Sequence, residues 1–258
     1  MTRTAEMEPG ELSDTEEGLF VYGIVRGDTE LPGVMVGLDG RDVVTVRCDR
    51  VAALVSPLAV QRPPGRAKEL LAYSQALDVV AESHPVVPVR FGAILPDAGS
   101  VVEELLAPDE EHFHALLEDL QGRAQFMLRA GYVEEQVLGE IVQSDPEVAE
   151  LRERTRDLPE EAAYAERVRL GELVARAIED KRGQDADFLL DRVLTLVDAH
   201  VVRPVSGLAP VCDVALLVHS DQRAELEARL ESLAEEVHER IRLRLMGPVA
   251  PYDFVGEG

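Results

Sequence analysis

The end of the chain joins an alternating segment to a proline-rich turn. Residues 240–245 alternate arginine with isoleucine or leucine, the period-two pattern of a half-buried β-strand. The segment that follows contains a glycine and two prolines: Gly247, Pro248 and Pro251. Because proline fixes φ and has no N–H to donate, we expect this stretch to exclude helix, to stop ladder pairing and to form a fixed extended turn. Such a turn would present Tyr252 and Phe254, which predicts a docking role for the ending.

Hydrophobic patterning in the first half predicts strands at residues 19–25, 43–47, 51–56 and 86–91. A helix is expected before the last of these strands, and its predicted buried face is Leu70, Tyr73, Leu77 and Val80. Two shorter helices are predicted at residues 99–106 and 109–120, the second closed by a glycine that acts as a C-terminal cap.

The second half predicts the element order β, α, β, β, α, β. Its strands are expected at residues 125–132, 201–206, 211–219 and 240–245. A helix with a stripe at Leu226, Leu230, Leu233 and Val237 precedes the last strand. This order is the split βαβ pattern of a ferredoxin-like domain. Its first crossover is enlarged into a helical arm over about residues 133–199.

The predicted fold is therefore α+β with two lobes. Residues 1–18 are acidic with almost no apolar periodicity, which predicts a disordered tail. Residues 19–123 form the N-terminal α+β domain, and residues 124–258 form the ferredoxin-like domain with its arm and tail. Residues 48–55 resemble residues 212–218, so we hypothesise that the smaller N-terminal lobe is a related, pseudo-duplicated unit.

One stripe within the arm has helical spacing and two interpretations. Its members are Tyr164, Val168, Gly171, Ala175 and Ile178. Steps of four and three residues fit either a short helix–helix seam or a face that packs on the core. Fewer than three heptads are present, which favours the core face.

Charge and hydropathy exclude several classes of function. The net charge of −24 opposes binding to a phosphate backbone, so no nucleic-acid partner is expected. No apolar run is long enough to cross a bilayer, so no membrane insertion is expected. The acidic first residues lack the basic and then apolar pattern of a secretory signal. These features together predict a cytoplasmic protein.

Motifs that carry chemistry are missing from the sequence. It contains no Gly-x-Gly-x-x-Gly, no Gly-Lys-Ser/Thr, no Gly-x-Ser-x-Gly and no His-Glu-x-x-His. Cys48 and Cys212 lack CxxC spacing and each lies beside a β-rich run, which favours buried reduced thiols over a disulfide or a metal site. We therefore expect no enzyme activity, no cofactor and no metal.

Arg90 is a charged side chain predicted inside an apolar strand. Val89 and Phe91 flank it, and Gly92 then allows close backbone approach. Two interpretations stay open. Arg90 faces solvent or an internal ion pair, or it anchors a protein interface, where arginine is favoured.

Two motifs resemble those of the GvpL/GvpF family of gas vesicle proteins. One is the closing Gly-Pro-x-x-Pro-Tyr-x-Phe at residues 247–254, and the other is Pro-Val-Val-Pro-Val-Arg-Phe-Gly at residues 85–92. The similarity spans residues 19–255. The chain departs from the family at Val249 and Ala250, where members commonly have a tryptophan between the two prolines. The contacts that a tryptophan would make there are therefore not expected in this chain.

The resemblance implies a role in gas vesicles, the protein-walled buoyancy compartments of prokaryotes. It implies an assembly factor or minor structural component that contacts the major hydrophobic shell protein, and other accessory vesicle proteins as further partners. The candidate interaction residues lie in the two motifs: Arg90, Phe91, Gly92, Gly247, Pro248, Pro251, Tyr252 and Phe254. The alternative is a regulatory module that binds a small molecule, as ferredoxin-like domains often do.

Overall fold

A computed structural model describes residues 17–59 and 63–256, and the chain is α+β. The predicted tail covers residues 1–18, of which residues 1–16 lie outside the described residues. Glu17 and Gly18 belong to the first strand, because they pair with Ala59 and Leu58. The α+β class predicted from patterning is confirmed.

The described residues divide into two compact units. The first comprises residues 17–80, without the gap at 60–62, and residues 86–118. The second comprises residues 81–85 and 119–256.

Short antiparallel strands and surrounding helices build the first unit. Its strands are β1 (Glu17–Arg26), β2 (Met35–Val36), β3 (Asp42–Cys48), β4 (Val51–Ala59), β5 (Val87–Pro88) and β6 (Ile94–Leu95). Its helices are α1 (Ala67–Ala81), α2 (Ala98–Ser100), which continues as a π-helical turn over Val101–Leu106, and α3 (Glu110–Asp119). The sheet order is β2-β3-β4-β1-β5, and β6 also pairs with β1.

Both faces of this sheet are covered. Side chains of a strand alternate between faces, yet Val51–Ser56 of β4 are all buried. Helix α1 packs on β1, where Tyr73 meets Phe20 and Tyr22 with ring centroids 6.1 Å apart. The buried hydroxyl groups of Tyr22 and Ser56 form a hydrogen bond of 2.8 Å with each other, so both have a partner in this core.

The predicted buried face of α1 is wrong at its first residue. Leu70 is 50% exposed, and Glu69 occupies the buried position in the first turn. The Glu69 carboxylate accepts hydrogen bonds from the backbone N–H groups of Gly65 at 2.8 Å and Arg66 at 2.9 Å. The need to satisfy free N–H groups at a helix start outweighs hydrophobic periodicity here.

The second unit has the element order that was predicted. Its strands are β7 (Arg123–Tyr132), β8 (Ala199–Arg203), β9 (Pro210–His219) and β10 (Ile241–Val249). Its helices are α4 (Glu134–Ser144), α5 (Pro146–Thr155), α6 (Glu160–Val193) and α7 (Arg223–Val237). Among the described residues, the sheet order is β10-β7-β9-β8 with every neighbouring pair antiparallel. A βαββαβ chain with this strand order is a split βαβ arrangement.

The core of the second unit lies between one sheet face and the helices. Phe126, Leu128 and Ala130 of β7 point to this core. The predicted stripe of α7 is buried there in full: Leu226, Leu230, Leu233 and Val237. The opposite sheet face carries Gln125, Met127 and their neighbours across the ladder.

The exposed stripe of α6 corrects the expectation of a core face. Tyr164 is 68% exposed and Val168 is 45% exposed, and Gly171 and Ala175 are exposed as well, whereas Ile178 is buried. Helix α6 is covered along a neighbouring face instead, because Ala163 is fully buried and Leu170 and Val174 pack against the core of the second unit. The predicted stripe is displaced from this covered face by one residue and meets it only at Ile178.

The two units share one strand order. In the first, β3-β4-β1 is followed by β5 and β6, and in the second β8-β9-β7 is followed by β10. In both, the last strand is interrupted at a glycine with positive φ, Gly92 (98°) and Gly247 (139°). The proposed relation between the halves thus has a matching topology. The two units correspond in the order of their strands and not in the positions of the two cysteines, because Cys48 ends β3 whereas Cys212 lies within β9.

Candidate functional site

The closing segment remains part of the sheet, contrary to the expectation that ladder pairing stops. Strand β10 pairs with β7 as far as Met246, forms a bulge at Gly247–Pro248, and pairs again where Val249 meets Gln125. A Cβ on Gly247 would lie 2.8 Å from Phe126 Cδ1 and 2.9 Å from the Gln125 carbonyl oxygen. The bulge accommodates Pro248, which has no N–H to donate to the ladder. Only glycine fits at the first position of the bulge.

A buried polar clasp holds the segment beyond β10 against the sheet. Gln125 Nε2 donates to Asp253 Oδ2 at 2.6 Å, and the Asp253 backbone N–H donates to Gln125 Oε1 at 3.2 Å. Arg203 of β8 donates to the same carboxylate from Nε at 3.0 Å and from Nη2 at 2.6 Å. These bonds to Asp253 are the main cause that raises the pKa of Arg203 above its ordinary value. The tail is therefore a fixed part of the second unit.

The clasp residues were missed by sequence reasoning. Asp253 is the variable position of the Pro-Tyr-x-Phe motif, and Gln125 is a polar residue of β7 whose side chain is only 1% exposed. A buried glutamine of this kind requires a hydrogen-bonding partner. That requirement was the available signal, although it did not reveal a partner 128 positions away.

The predicted tail residues divide into buried and exposed groups. Ala250 and Pro251 are buried, and Phe254 is partly buried. Tyr252 is 40% exposed, the most accessible of the large predicted side chains in this segment. A rigid backbone therefore presents an aromatic side chain at the surface, which is a favourable arrangement for binding because little conformational freedom is lost.

The predicted strand at residues 86–91 is wrong at its second half, and Arg90 does not lie inside a strand. Residues 89–93 form a turn between β5 and β6, with Gly92 at φ 98°. Arg90 is exposed, whereas the Phe91 ring lies 5.5 Å from Phe20 and 5.2 Å from Tyr73 in edge-on contacts. Phe91 thus anchors the turn to the core of the first unit and leaves Arg90 at the surface.

A second candidate site is a charged cleft at the base of the arm. Arg240 donates from Nη1 and Nη2 to Asp185 at 2.8 and 2.5 Å, and its Nε lies 2.9 Å from a Glu140 carboxylate oxygen. Asp185 also accepts from the Tyr132 hydroxyl at 2.6 Å. Lys181 completes the network at 2.8 Å from Glu140. The adjoining open cleft has a volume of about 560 Å³.

Burial and charge shape the titration of this network. Burial raises the pKa of Tyr132 well above its ordinary value, and its hydrogen bond to Asp185 adds to the effect. Burial alone would also raise the pKa of Glu140, but hydrogen bonds from Lys181 and Arg240 outweigh it and hold that pKa below its usual range. Both cations at the cleft are thus engaged with carboxylates. The geometry serves to fix α4 and α6 to the sheet.

Within residues 17–59 and 63–256, no group of three histidine, cysteine or acidic side chains is arranged to hold a metal ion. Cys212 is a buried free thiol whose pKa burial raises to about 11, and Cys48 is a partly exposed free thiol. In the same residues no helix is long and apolar enough to cross a membrane.

The fold and the clasped ending define a class of α+β proteins with two antiparallel sheets that share one strand order. The sequence profile of the family described as "Gas vesicle synthesis protein GvpL/GvpF" matches residues 18–256. Gas vesicle protein F of Streptomyces sp. (strain CB03234) is 31% identical over 241 residues, which cover 92% of this chain and 98% of that protein. The chain belongs to the GvpL/GvpF family, which confirms the resemblance of its two motifs.

More distant relatives extend the match. Gas vesicle protein F of Microcystis aeruginosa (strain PCC 7806) is 22% identical over 244 residues, or 92% of this chain and 97% of that one. The crystal structure of GvpF from Anabaena sp. PCC7120 superposes with a TM-score of 0.78 at 20% identity, over 94% and 99% of the two chains. GvpF from Microcystis aeruginosa gives 0.73 at 22% identity, over 92% and 98%. At these identities the structures show a shared fold.

Proposed function

We propose that this protein acts in gas vesicle assembly, either as an assembly factor or as a minor structural component of the vesicle. The supporting observation is membership of a gas vesicle family over residues 18–256, nearly the whole chain. Its partner on this proposal is the hydrophobic shell protein, and other accessory vesicle proteins are further partners. The protein would act by binding, in the cytoplasm and at the vesicle, without catalysis.

The surface chemistry is suited to a hydrophobic client. Several large apolar side chains are exposed in each unit, among them Val34, Val36 and Leu71 in the first and Tyr164, Val202 and Tyr252 in the second. The net charge of −24 opposes self-association through such groups. A soluble acidic carrier with exposed apolar positions can shield shell subunits until they join the wall.

Tyr252 is the tail residue that we propose makes direct contact. Its backbone is fixed by the Asp253 clasp, and the Tm of the variant is measured alongside, so that a loss of binding is distinguished from a loss of the fold. Tyr252→Ala in the full chain is expected to weaken binding to purified shell protein, measured on immobilised protein. Tyr164→Ala removes another exposed tyrosine, on α6, and shows whether loss of any exposed aromatic side chain would have the same effect. Equal affinity of wild type and Tyr252→Ala would remove Tyr252 from the interface.

A genetic experiment tests the role itself. The gene is deleted in a cluster that makes gas vesicles and then restored, and flotation is scored together with electron microscopy. Lost or misshapen vesicles that return on complementation support the assembly role. Normal vesicles in the deletion strain would contradict a required role in assembly.

The alternative, a regulatory module that binds a small molecule, has one feature in its favour. The cleft beside Arg240 is large enough for a metabolite. Its cations are already engaged with Asp185 and Glu140, so an anionic ligand would have to displace them. A rise in Tm with a metabolite or nucleotide panel, lost in Arg240→Leu, would favour this alternative.

A further inference from the structure

The sheet of the second unit ends in two strands that differ in their protection. No described strand pairs with the outer side of β8 or β10. Such edges offer unpaired N–H and C=O groups, and proteins usually guard them with charges, prolines or bulges. Strand β10 has these guards, because Arg242 and Arg244 are exposed and Gly247–Pro248 forms a bulge.

Strand β8 lacks these guards along most of its length. Residues 199–202 are Ala-His-Val-Val and contain no acid, lysine, arginine or proline. Val202 is 56% exposed and Val201 is 37% exposed. They point to opposite faces, because Val202 is registered with the core residue Val214 and Val201 with Ala215. A strand added at this edge would therefore cover one valine on each face.

The charges around β8 are paired within the unit. Arg203 binds Asp253, and Asp198 before the strand lies 2.6 Å from Arg123. On β9, Asp213 lies 3.1 Å from Arg129. Apart from His200, the edge consequently carries apolar side chains along residues 199–202 and is flanked by paired charges. Its electrostatic complement is a segment without charge.

The described edges of the first unit are less suited to pairing. Its sheet ends in β5 and β6 on one side and in β2 on the other, and each of these strands has two residues. Beyond β2, residues 44–48 of β3 also have no described partner on their outer side, but the exposed Arg47 guards that edge. Strand β8 has five residues and spans about 17 Å at 3.4 Å per residue, and its four residues 199–202 are a longer run without a guard than residues 44–46 of β3.

We propose that β8 is a docking edge that accepts an uncharged, apolar, extended segment of the shell protein as a fifth strand of the sheet. Main-chain hydrogen bonds give such strand addition its affinity, and Val201 and Val202 give it an apolar preference. This inference rests on the proposed function. A second copy of the chain is a poorer occupant, since each copy carries −24 and five-residue strands bury far less than the about 1,200–2,000 Å² of a stable dimer.

The test uses the full chain, short synthetic peptides that together span the shell protein, and the purified shell protein. Val202→Lys places a charge on the edge, and Val44→Lys is the matched control on an exposed strand valine of the first unit. We expect one peptide to bind wild type, Val202→Lys to bind it about tenfold more weakly or worse, and Val44→Lys to be unchanged. Amide hydrogen exchange at residues 199–203 should slow on binding.

Each contrary result has its own meaning. Unchanged peptide affinity in Val202→Lys, or protection at another element, overturns the docking edge while the proposed function stands. If the wild-type protein binds neither the peptides nor the intact shell protein, the proposed function itself is overturned. A dimer of wild type in light scattering that Val202→Lys dissociates would assign the edge to a second copy and so refute the chosen occupant.

Discussion

Replacing Asp185 by alanine should strongly destabilise the second unit. The Asp185 side chain is 12% exposed and accepts two hydrogen bonds from Arg240 and one from Tyr132. Removing one partner of a buried ion pair costs about 3–5 kcal/mol, because the other charge stays desolvated. Arg240 keeps Glu140 and is 29% exposed, which places the expected loss near the lower limit, about 3 kcal/mol.

Calorimetry and urea unfolding of the full chain measure this loss. For a unit of this size each kcal/mol lowers Tm by about 2–4 °C, so Asp185→Ala should lower it by about 6–12 °C. Glu153→Ala is the control, because Glu153 forms an exposed pair with Arg156 and surface changes stay within about 0.5 kcal/mol.

A double variant separates the ion pair from general packing. Asp185→Ala combined with Arg240→Leu removes the stranded charge, so its loss of stability should be smaller than the sum of the single losses. A loss below about 1 kcal/mol for Asp185→Ala would refute the reasoning, since it would mean that water or a rearranged side chain satisfies Arg240. Strict additivity in the double variant would likewise contradict a closed network.

Three further predictions follow from the backbone and the titrating groups. Gly247→Ala should lower the free energy of unfolding by about 2 kcal/mol or more, measured in urea, because the backbone φ of 139° at this position is unfavourable for residues other than glycine. Gly171→Ala is the control: it lies on an open helix face and should raise the free energy of unfolding by up to about 1 kcal/mol. The pKa of Glu140 is depressed, so its ion pairs stabilise the protein above the ordinary carboxylate pKa and lose that contribution as pH falls through the depressed value. Glu140→Gln should therefore flatten the acid limb of stability against pH, and an unchanged limb would exclude this role. Burial raises the pKa of Cys212 to about 11, so a thiol reagent at neutral pH should label Cys48 first and Cys212 only after unfolding. Mass spectrometry measures the two labelling rates. Equal rates for the two cysteines in the native protein would contradict the burial of Cys212.

Periodic elements were predictable because burial of one face is encoded in spacing. All four stripe residues of α7 are buried as expected, and the strand order of the second unit follows from its element order. Local backbone geometry was harder to predict. The strand predicted at 86–91 turns at Gly92, and β10 passes through a bulge where an end was expected. A proline shows that a ladder bond is lost but not whether a bulge restores pairing beyond it.

Contacts between distant residues were beyond the sequence patterns. Asp253 meets Gln125 across 128 positions, and Asp185 meets Arg240 across 55. Nothing local to any of these side chains specifies its partner, because the fold brings them together. The exposure of Tyr164 has a similar cause, since the covered face of α6 begins at Ala163, one position earlier, and helical spacing alone does not decide between two adjacent faces.

The long connection between β7 and β8 has a consequence for how this protein can vary. Residues 133–198 separate two strands of one sheet, and α6 alone is about 51 Å long at 1.5 Å per residue. The entropy of closing a connection grows only with the logarithm of its length, about 0.6 kcal/mol for each doubling. An extra turn within this connection would add a small fraction of that. The reach of the arm can thus change over evolution, or by engineering, while the sheet that anchors it keeps its sequence.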